Sequence, residues 1–254
     1  MIKSIYRSAE ILKAIYSGVN RLTDISYSLN LNKSTTHRLL KALEQSGFIT
    51  QDSQNRKYLP GHLIFRLASN PIFSHQLLVV ACHGEMYHLR DLTKESIALH
   101  IPIGSQRICL AEVPSNQDIV YVSGVGNLAP IYIGSAGKVL LSEMRNENFE
   151  LLLSGMKLLP IGPRTIVDKK KLTREIEKIR MLGYATSHEE RLVGGVAISV
   201  PIKHYVCPAS LSILAPYFRF GAKMMNFLDE LKLSATRISA NIKDHVFSPP
   251  LASS

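Results

Sequence analysis

Residues 22–43, LTDISYSLNLNKSTTHRLLKAL, read as two short helices joined by a tight turn. In the second helix Thr36, Leu39, Leu40 and Leu43 fall together at the spacing of a buried face. Ser34, His37, Arg38 and Lys41 fall on the other side, where hydroxyl, imidazole and cationic groups suit phosphate oxygens and base edges. Thr23 is placed to cap the first helix, with Ile25 and Leu29 on its packed side. Asn30 stands at the turn, and Asn tolerates the left-handed backbone that such turns need. An ordinary helical hairpin would show the same pattern, so the residues that follow decide. Gly47 stands just past the second helix. Phe48–Thr50 and Lys57–Leu59 then read as two strands around the loop Asp52–Arg56. Helix, helix, hairpin is the order of a winged helix-turn-helix, with Arg56 and Lys57 placing charge on the wing.

The chain has 254 residues, 46% of them hydrophobic, and a formal net charge of +10. That length supports one or two domains with a sizeable core. The positive balance favours an acidic partner. It is uneven: residues 1–75 carry ten Lys and Arg against four acids, a balance of +6, and the longer remainder carries +4. Concentration around a helix-turn-helix points to nucleic acid more firmly than the total does. Cys82, Cys109 and Cys207 are far apart and lack zinc-ligand spacing, so buried free thiols are expected, and neither metal nor cofactor. Met1-Ile2-Lys3 opens no secretory segment and no apolar run reaches membrane-spanning length. The expectation is a cytoplasmic protein with no membrane partner.

Upstream, Ser4–Ser17 reads as an amphipathic helix with Ile5, Ala9, Leu12 and Ile15/Tyr16 on its core face and Gly18 as its stop. Arg7 lies off that face, where it reaches a phosphate or is simply solvated. Downstream, Pro60-Gly61 breaks the chain and His62–Ser69 forms a short helix. Asn70-Pro71 is a second break, where the domain boundary is placed. This divides the chain into a domain over 1–70, a linker helix over 71–92 (read from about Ser74), a second domain over 93–245 and a tail over 246–254. The tail is expected to lack structure from Ser248.

From Ser96 the period becomes two. Ile97, Leu99, Ile101 and Ile103 alternate with smaller or more polar residues, and Arg107–Val113 and Ile119–Ser123 continue as strands of an antiparallel sheet. Ile131–Leu141 is a strand or loop entering a helix through small residues. Asp168 caps a helix over Lys169–Leu182, with Leu172, Ile176 and Ile179 inward and Gly183 at its end. Its run Lys169-Lys170-Lys171 reads as a solvated face. Tyr184–Thr186 begins a strand, and Val196–Ile202 with Ala209–Leu214 forms a hairpin. A helical pattern resumes over about Gly221–Ile242.

No motif carries catalysis. Gly134-Ser135-Ala136-Gly137-Lys138 is not a phosphate loop, because Tyr132 and Val139 stand where Gly and Ser/Thr are required. Its small residues serve either as a mild anion site at a helix start or for close packing of helix on sheet. His188-Glu189-Glu190 lacks the second His of a zinc protease motif, and His83 and His88 are five apart, off the spacing of a shared helix face. There is no nucleophile elbow.

Several stretches together resemble the IclR family of bacterial transcriptional regulators: Arg7–Leu12, Leu31–Leu40, Gly47–Ile49, Gly134–Lys138, Ile179–Ala185, and Glu189-Glu190 through Gly194 to Pro201. They occur in family order over most of residues 4–242. The resemblance implies an α+β chain with a winged helix-turn-helix, a linker helix and a GAF-like effector domain built on an antiparallel sheet. It implies dimers or tetramers on a pseudo-palindromic operator in double-stranded DNA, and small organic acids as effectors. Carried over by position, the DNA site is Lys33, Ser34, Thr35, His37, Arg38 and Lys41, with Arg56 and Lys57 on the wing. The effector pocket is Ser135, Ala136, Ser187, Ala197, Ser212 and Leu214. Departures are Asn30 for a usual Gly and Asn32 for a common Pro, and in the pocket Ser187 for Asp, Ala197 for Cys and Leu214 for Ser.

Those six pocket positions include no Lys or Arg. The charge of an acidic ligand is therefore expected to be met by dipoles, from the backbone of Gly134–Gly137 and the hydroxyls of Ser135 and Ser212. Ala197 and Leu214 favour a ligand with an apolar body, such as an aromatic or branched carboxylate. The whole reads as a ligand-responsive, sequence-specific DNA-binding regulator and not an enzyme. The alternative is a small-molecule-processing enzyme with a basic localising domain, which a turnover assay separates. A winged helix used only for protein contacts is disfavoured by the Ser34, Arg38 and Lys41 face.

Overall fold

A computed structural model of the chain describes residues 2–246, with side chains to residue 243. The chain divides into two compact units, Met1–Ser74 and His75–Ser254. The first contains α1 (Lys3–Tyr16), α2 (Leu22–Ser28), α3 (Lys33–Gln45), β1 (Ile49–Gln51), β2 (Tyr58–Pro60), α4 (His62–Ala68) and α5 (Pro71–Ser74). Its core gathers Ile11 and Ile15 of α1, Ile25 of α2, Leu40 and Leu43 of α3, Ile49 and Tyr58.

Three expectations change here. The inward stripe of α1 runs through Ile11 and Ile15, while Ile5, Ala9 and Tyr16 are exposed and Arg7 is half-buried. Two apolar stripes satisfy helical spacing in α1, and periodicity cannot choose between them. Thr23 lies inside α2, whose cap is Arg21 without a side-chain bond; the Thr23 hydroxyl donates to Asp24 instead. The linker region over 71–92 holds a separate short helix, α5, ahead of α6 (Gln76–Thr93), which is the long helix expected from about Ser74, and the two compact units divide after Ser74. Asn70 causes the restart: its side-chain oxygen accepts from the Ile72 and Phe73 amides, and Pro71 is preorganised for a first helical turn.

The second unit continues with β3 (Ser96–Ile103), β4 (Gln106–Val113), β5 (Leu128–Pro130), α7 (Gly134–Ser142), α8 (Asn146–Gly155), α9 (Lys169–Leu182), β6 (Ala185–His188), β7 (Gly195–Ile202), β8 (Ala209–Pro216), α10 (Tyr217–Phe220), a 3-10 turn at Met224–Phe227 and α11 (Leu228–Val246). Its six strands form one antiparallel sheet in the order β5-β4-β3-β8-β7-β6. Every residue of β8 is buried, so both faces of the sheet are covered. Helix α7 packs on β6, β7 and β8, while α6 and α11 pack on each other and on β3 and β7. A further core joins α7, α8 and α9 through Leu140, Leu141, Phe149, Leu153, Leu172 and Ile176.

The strand expected at Ile119–Ser123 is absent. The amides of Ser123 and Gly124 donate to the Glu112 carboxylate, at 2.6 and 2.9 Å, and not to a neighbouring strand. β5 takes the edge position instead. The helix expected from Gly221 begins at Leu228, after α10 and the 3-10 turn. The tail residues 247–254 lie outside the described residues. Among the described residues no helix is long and apolar enough to cross a membrane.

Candidate functional site

Two sites emerge, one in each unit. In the first, Asn30 adopts φ 50°, the left-handed conformation its place in the turn requires. The Ser26 hydroxyl donates to the Leu31 carbonyl and closes that turn. Asn32 precedes α3 as its cap residue, although its side chain makes no capping bond. Thr36, Leu40 and Leu43 are buried and Leu39 is half-buried. The opposite face is thereby turned outward: Lys33, Ser34, His37, Arg38 and Lys41 are exposed, and Thr35 is half-buried. Past the helix, Gly47 (φ 76°) lets the Phe48 amide donate back to Leu43 and the Gly47 amide to Glu44, a Schellman closure. On the wing, Asp52 organises the loop by accepting from the Arg56 and Gln54 amides. Arg56 is exposed at φ 59° and Lys57 is half-buried. Among the described residues, Lys33, Arg38, Lys41, Arg56 and Lys57 make no ion pair. Their charges are available to a polyanion.

In the second unit, the six positions Ser135, Ala136, Ser187, Ala197, Ser212 and Leu214 come from α7, β6, β7 and β8, and all line one small cavity of about 20 Å³. Two of its serines are joined through the buried Ser199 behind them: Ser135 to Ser199 and Ser199 to Ser212, each 2.7 Å. The Gly134–Lys138 turn has two separable roles. Gly137 serves packing, since a β-carbon there would collide with the Ile131 carbonyl. Gly134, at φ 76°, donates its amide 2.9 Å to Glu190 Oε2. The other oxygen of Glu190 receives Lys138 Nζ at 2.6 Å. The loop holding Glu190 is fixed in turn by the Gly162 amide and the Thr165 hydroxyl, which both donate to the Glu190 carbonyl.

The cavity holds more than the dipoles expected to meet a ligand's charge. His100, Arg107, Tyr121, Glu190 and Arg191 also line the cavity, so two guanidinium groups face it. Arg107 is 4% exposed and its Nε has no partner, nor does Nη1 of Arg191. Burial pushes the Arg107 pKa down to about 10, with the Arg191 charge acting the same way; it stays protonated at neutral pH. His100 bonds Ser123 Oγ at 2.8 Å, and burial together with the two arginines holds its pKa well below the usual histidine range, so it is neutral. The dipole at the start of α7 is partly consumed, because the Gly134 amide is committed to Glu190.

Arg107 reaches this face through a β-bulge. Leu99 pairs with Ala111 and His100 with Cys109, so Leu110 is the extra residue of β4. One inserted residue reverses the facing of all that precede it. Ala98, opposite Glu112, and His100, opposite Cys109, share one face of β3. The bulge turns Cys109 and Arg107 to that face. The sequence offered no local signal for Arg107, since β4 also carries Gln106 and Glu112 and the bulge shows only in the pairing with β3.

Comparison with known proteins agrees with both halves. Residues 4–53 match the model of the IclR helix-turn-helix domain, and residues 72–240 match that of the bacterial transcriptional regulator IclR C-terminal domain. The chain is 27% identical over 250 residues to the HTH-type transcriptional regulator KdgR of Escherichia coli, covering 96% of this chain and 94% of that protein. The crystal structure of the Thermotoga maritima IclR superposes with a TM-score of 0.63 at 26% identity, over 95% of this chain and 99% of that one. An IclR homologue from Microbacterium hydrocarbonoxydans, complexed with 4-hydroxybenzoate, has the same fold, with a TM-score of 0.62 at 20% identity over 95% and 99% of the two chains.

Proposed function

The chain belongs to the IclR family of bacterial transcriptional regulators, and from that premise we propose that it binds a specific DNA operator and changes its occupancy in response to a small organic carboxylate. The observation that carries the effector half is the convergence of six residues from four separated elements on one cavity, also faced by two guanidinium groups that make no ion pair among the described residues. Guanidinium is the side chain best shaped to grip a carboxylate. The ligand of the Microbacterium relative, 4-hydroxybenzoate, is itself a carboxylate. The operator half rests on the outward face of α3. Lys33, Ser34, Thr35, His37, Arg38 and Lys41 meet the major groove, and Arg56 and Lys57 reach the flanking phosphates. One such domain offers too small an interface for tight specific binding, so two act together as a dimer or as half of a tetramer.

Selection of binding sites from a random duplex pool tests the reading, with light scattering for the assembly. We expect an inverted repeat whose half-sites lie about one helical turn apart. Carboxylates that bind the protein shift its affinity for that repeat and are recovered unchanged. No enriched sequence, a monomer on a single half-site, or turnover of a bound acid would overturn it.

A further inference from the structure

We propose that the ligand of the second unit's cavity is a compact dianion, and that Arg107 and Arg191 select it. This rests on the reading of that cavity as the effector site and adds the charge class of the effector.

The charge count carries the proposal. Three charged residues line the cavity: Arg107, Arg191 and Glu190. Glu190 is already spent, one oxygen on Lys138 Nζ at 2.6 Å and the other on the Gly134 amide at 2.9 Å. The acid on β4, Glu112, is spent on the amides of Ser123 and Gly124. Among the described residues neither arginine makes an ion pair, and the only hydrogen bond to either guanidinium is a long one, 3.5 Å from Arg191 Nη2 to the Ser123 carbonyl. Two positive charges are therefore left without a counter-charge, one of them almost wholly buried.

A buried cation with unmade hydrogen bonds is costly, and chains retain such groups where a ligand completes them. The first turn of α7 adds to the same field. A β-carbon on Gly134 would sit 3.8 Å from Arg107 Nη2, which places that guanidinium beside the positive end of the helix. A monoanion satisfies one arginine and leaves the other exposed to its like-charged neighbour. A neutral ligand satisfies neither. Two negative charges on one small body, as two carboxylates or as one phosphate monoester, balance the site.

The test uses the full-length protein and probes matched in carbon skeleton: succinate against butyrate, phthalate against benzoate, and phenyl phosphate as the phosphate arm. Isothermal titration at constant ionic strength reads affinity. We expect at least one dianion to bind tenfold or more tightly than its monoanionic partner. Which arm responds separates a dicarboxylate from a phosphate ester. Arg191→Gln and Arg107→Gln should each erase the preference, and Arg191→Lys should retain part of it. Far-UV circular dichroism checks folding, and the half-buried Arg191 carries the test if the Arg107 variant fails to fold. Ser135→Leu blocks the cavity and should abolish all binding. Monoanions binding as tightly as dianions, in a manner Ser135→Leu abolishes, would leave the effector site standing and overturn the dianion. So would a preference that survives Arg191→Gln. Silence from every probe, or binding indifferent to Ser135→Leu, would overturn the site and this inference with it.

Discussion

Lys138 Nζ lies 2.6 Å from Glu190 Oε1, a buried ion pair that ties α7 to the loop after β6. The same ammonium donates to the Thr186 carbonyl at 2.9 Å and approaches Glu175 at 3.3 Å. Glu190 closes the circle by accepting from Gly134. One carboxylate thus fixes the first turn of α7 and the adjoining cavity wall.

Glu190→Gln should therefore destabilise the second unit. Removing one partner of a buried pair costs about 3–5 kcal/mol. The remaining contact to Glu175 places the loss at the lower end. Replacing both groups, Lys138→Met with Glu190→Gln, should recover part of it, since the one charge left without its partner, Glu175, is partly exposed to solvent. Urea unfolding monitored by circular dichroism measures both. A single variant costing less than about 1 kcal/mol, the range of an exposed pair, would contradict the structural role.

Arg38 and Lys41 stand about one turn apart on the exposed face of α3. If Arg38 reads a base, Arg38→Ala should cost about 1–3 kcal/mol and relax specificity at one position. Lys41→Ala should weaken all sequences alike and lower the salt slope by about one. Gel-shift titrations at several salt concentrations distinguish the two. Unchanged affinity in both folded variants would remove α3 from the interface.

Arg107→Met should raise the stability of the protein while impairing its response to acids. The side chain is buried with an unsatisfied Nε and a like-charged neighbour. Replacing buried charge by an apolar group of similar volume is often stabilising by about 1–4 kcal/mol. Thermal unfolding without added acid reads the gain. A lower Tm would show that a protein group compensates this guanidinium.

The stability should also fall in mild acid because of His100. Its pKa is held well below the usual value in the folded chain. Unfolded chains take up that proton near pH 6.5 and the folded chain does not, so stability declines as pH drops below that value. The slope from this one group approaches about 1.4 kcal/mol per pH unit. His100→Gln should flatten the curve between about pH 6.5 and 5, the range just below the unfolded pKa. An unaltered slope would assign the acid sensitivity to other groups, such as His75, whose pKa burial also lowers.

The first unit was largely legible because its signals are local. The burial of Thr36, Leu40 and Leu43, the turn at Asn30 and the closure at Gly47 each depend on a few adjacent residues. Asp168 was legible for the same reason, and its side chain accepts from the Lys171 amide as the cap rule requires. Helix α8 was missed: Leu151, Leu152 and Leu153 run consecutively, and the cap residue Arg145 is no capping type. The Ile119–Ser123 segment has strand composition, but its amides answer to a carboxylate on another strand. Arg107 was out of reach altogether. Alternation along β4 puts it on the wrong face, and only the pairing with β3 reveals that Leu110 is an extra residue. A bulge is a fact about two strands and is not written in either one.

The size of the cavity has a consequence of its own. At about 20 Å³ it has room for roughly one water molecule, far less than any acid with two charged groups occupies. Its walls include Tyr121, borne on the irregular segment that Glu112 holds, and Arg191, on the loop that Gly162 and Thr165 hold. A ligand of this class gains access only by displacing such a wall, so recognition and rearrangement are a single event. The measured dissociation constant is then the intrinsic one divided by the fraction of molecules already open. Substitutions that loosen the Glu112 clamp, which reaches the cavity only through Ser123 and its bonds to His100 and Arg191, should make the protein bind a ligand there more tightly while weakening its ability to tell the presence of that ligand from its absence.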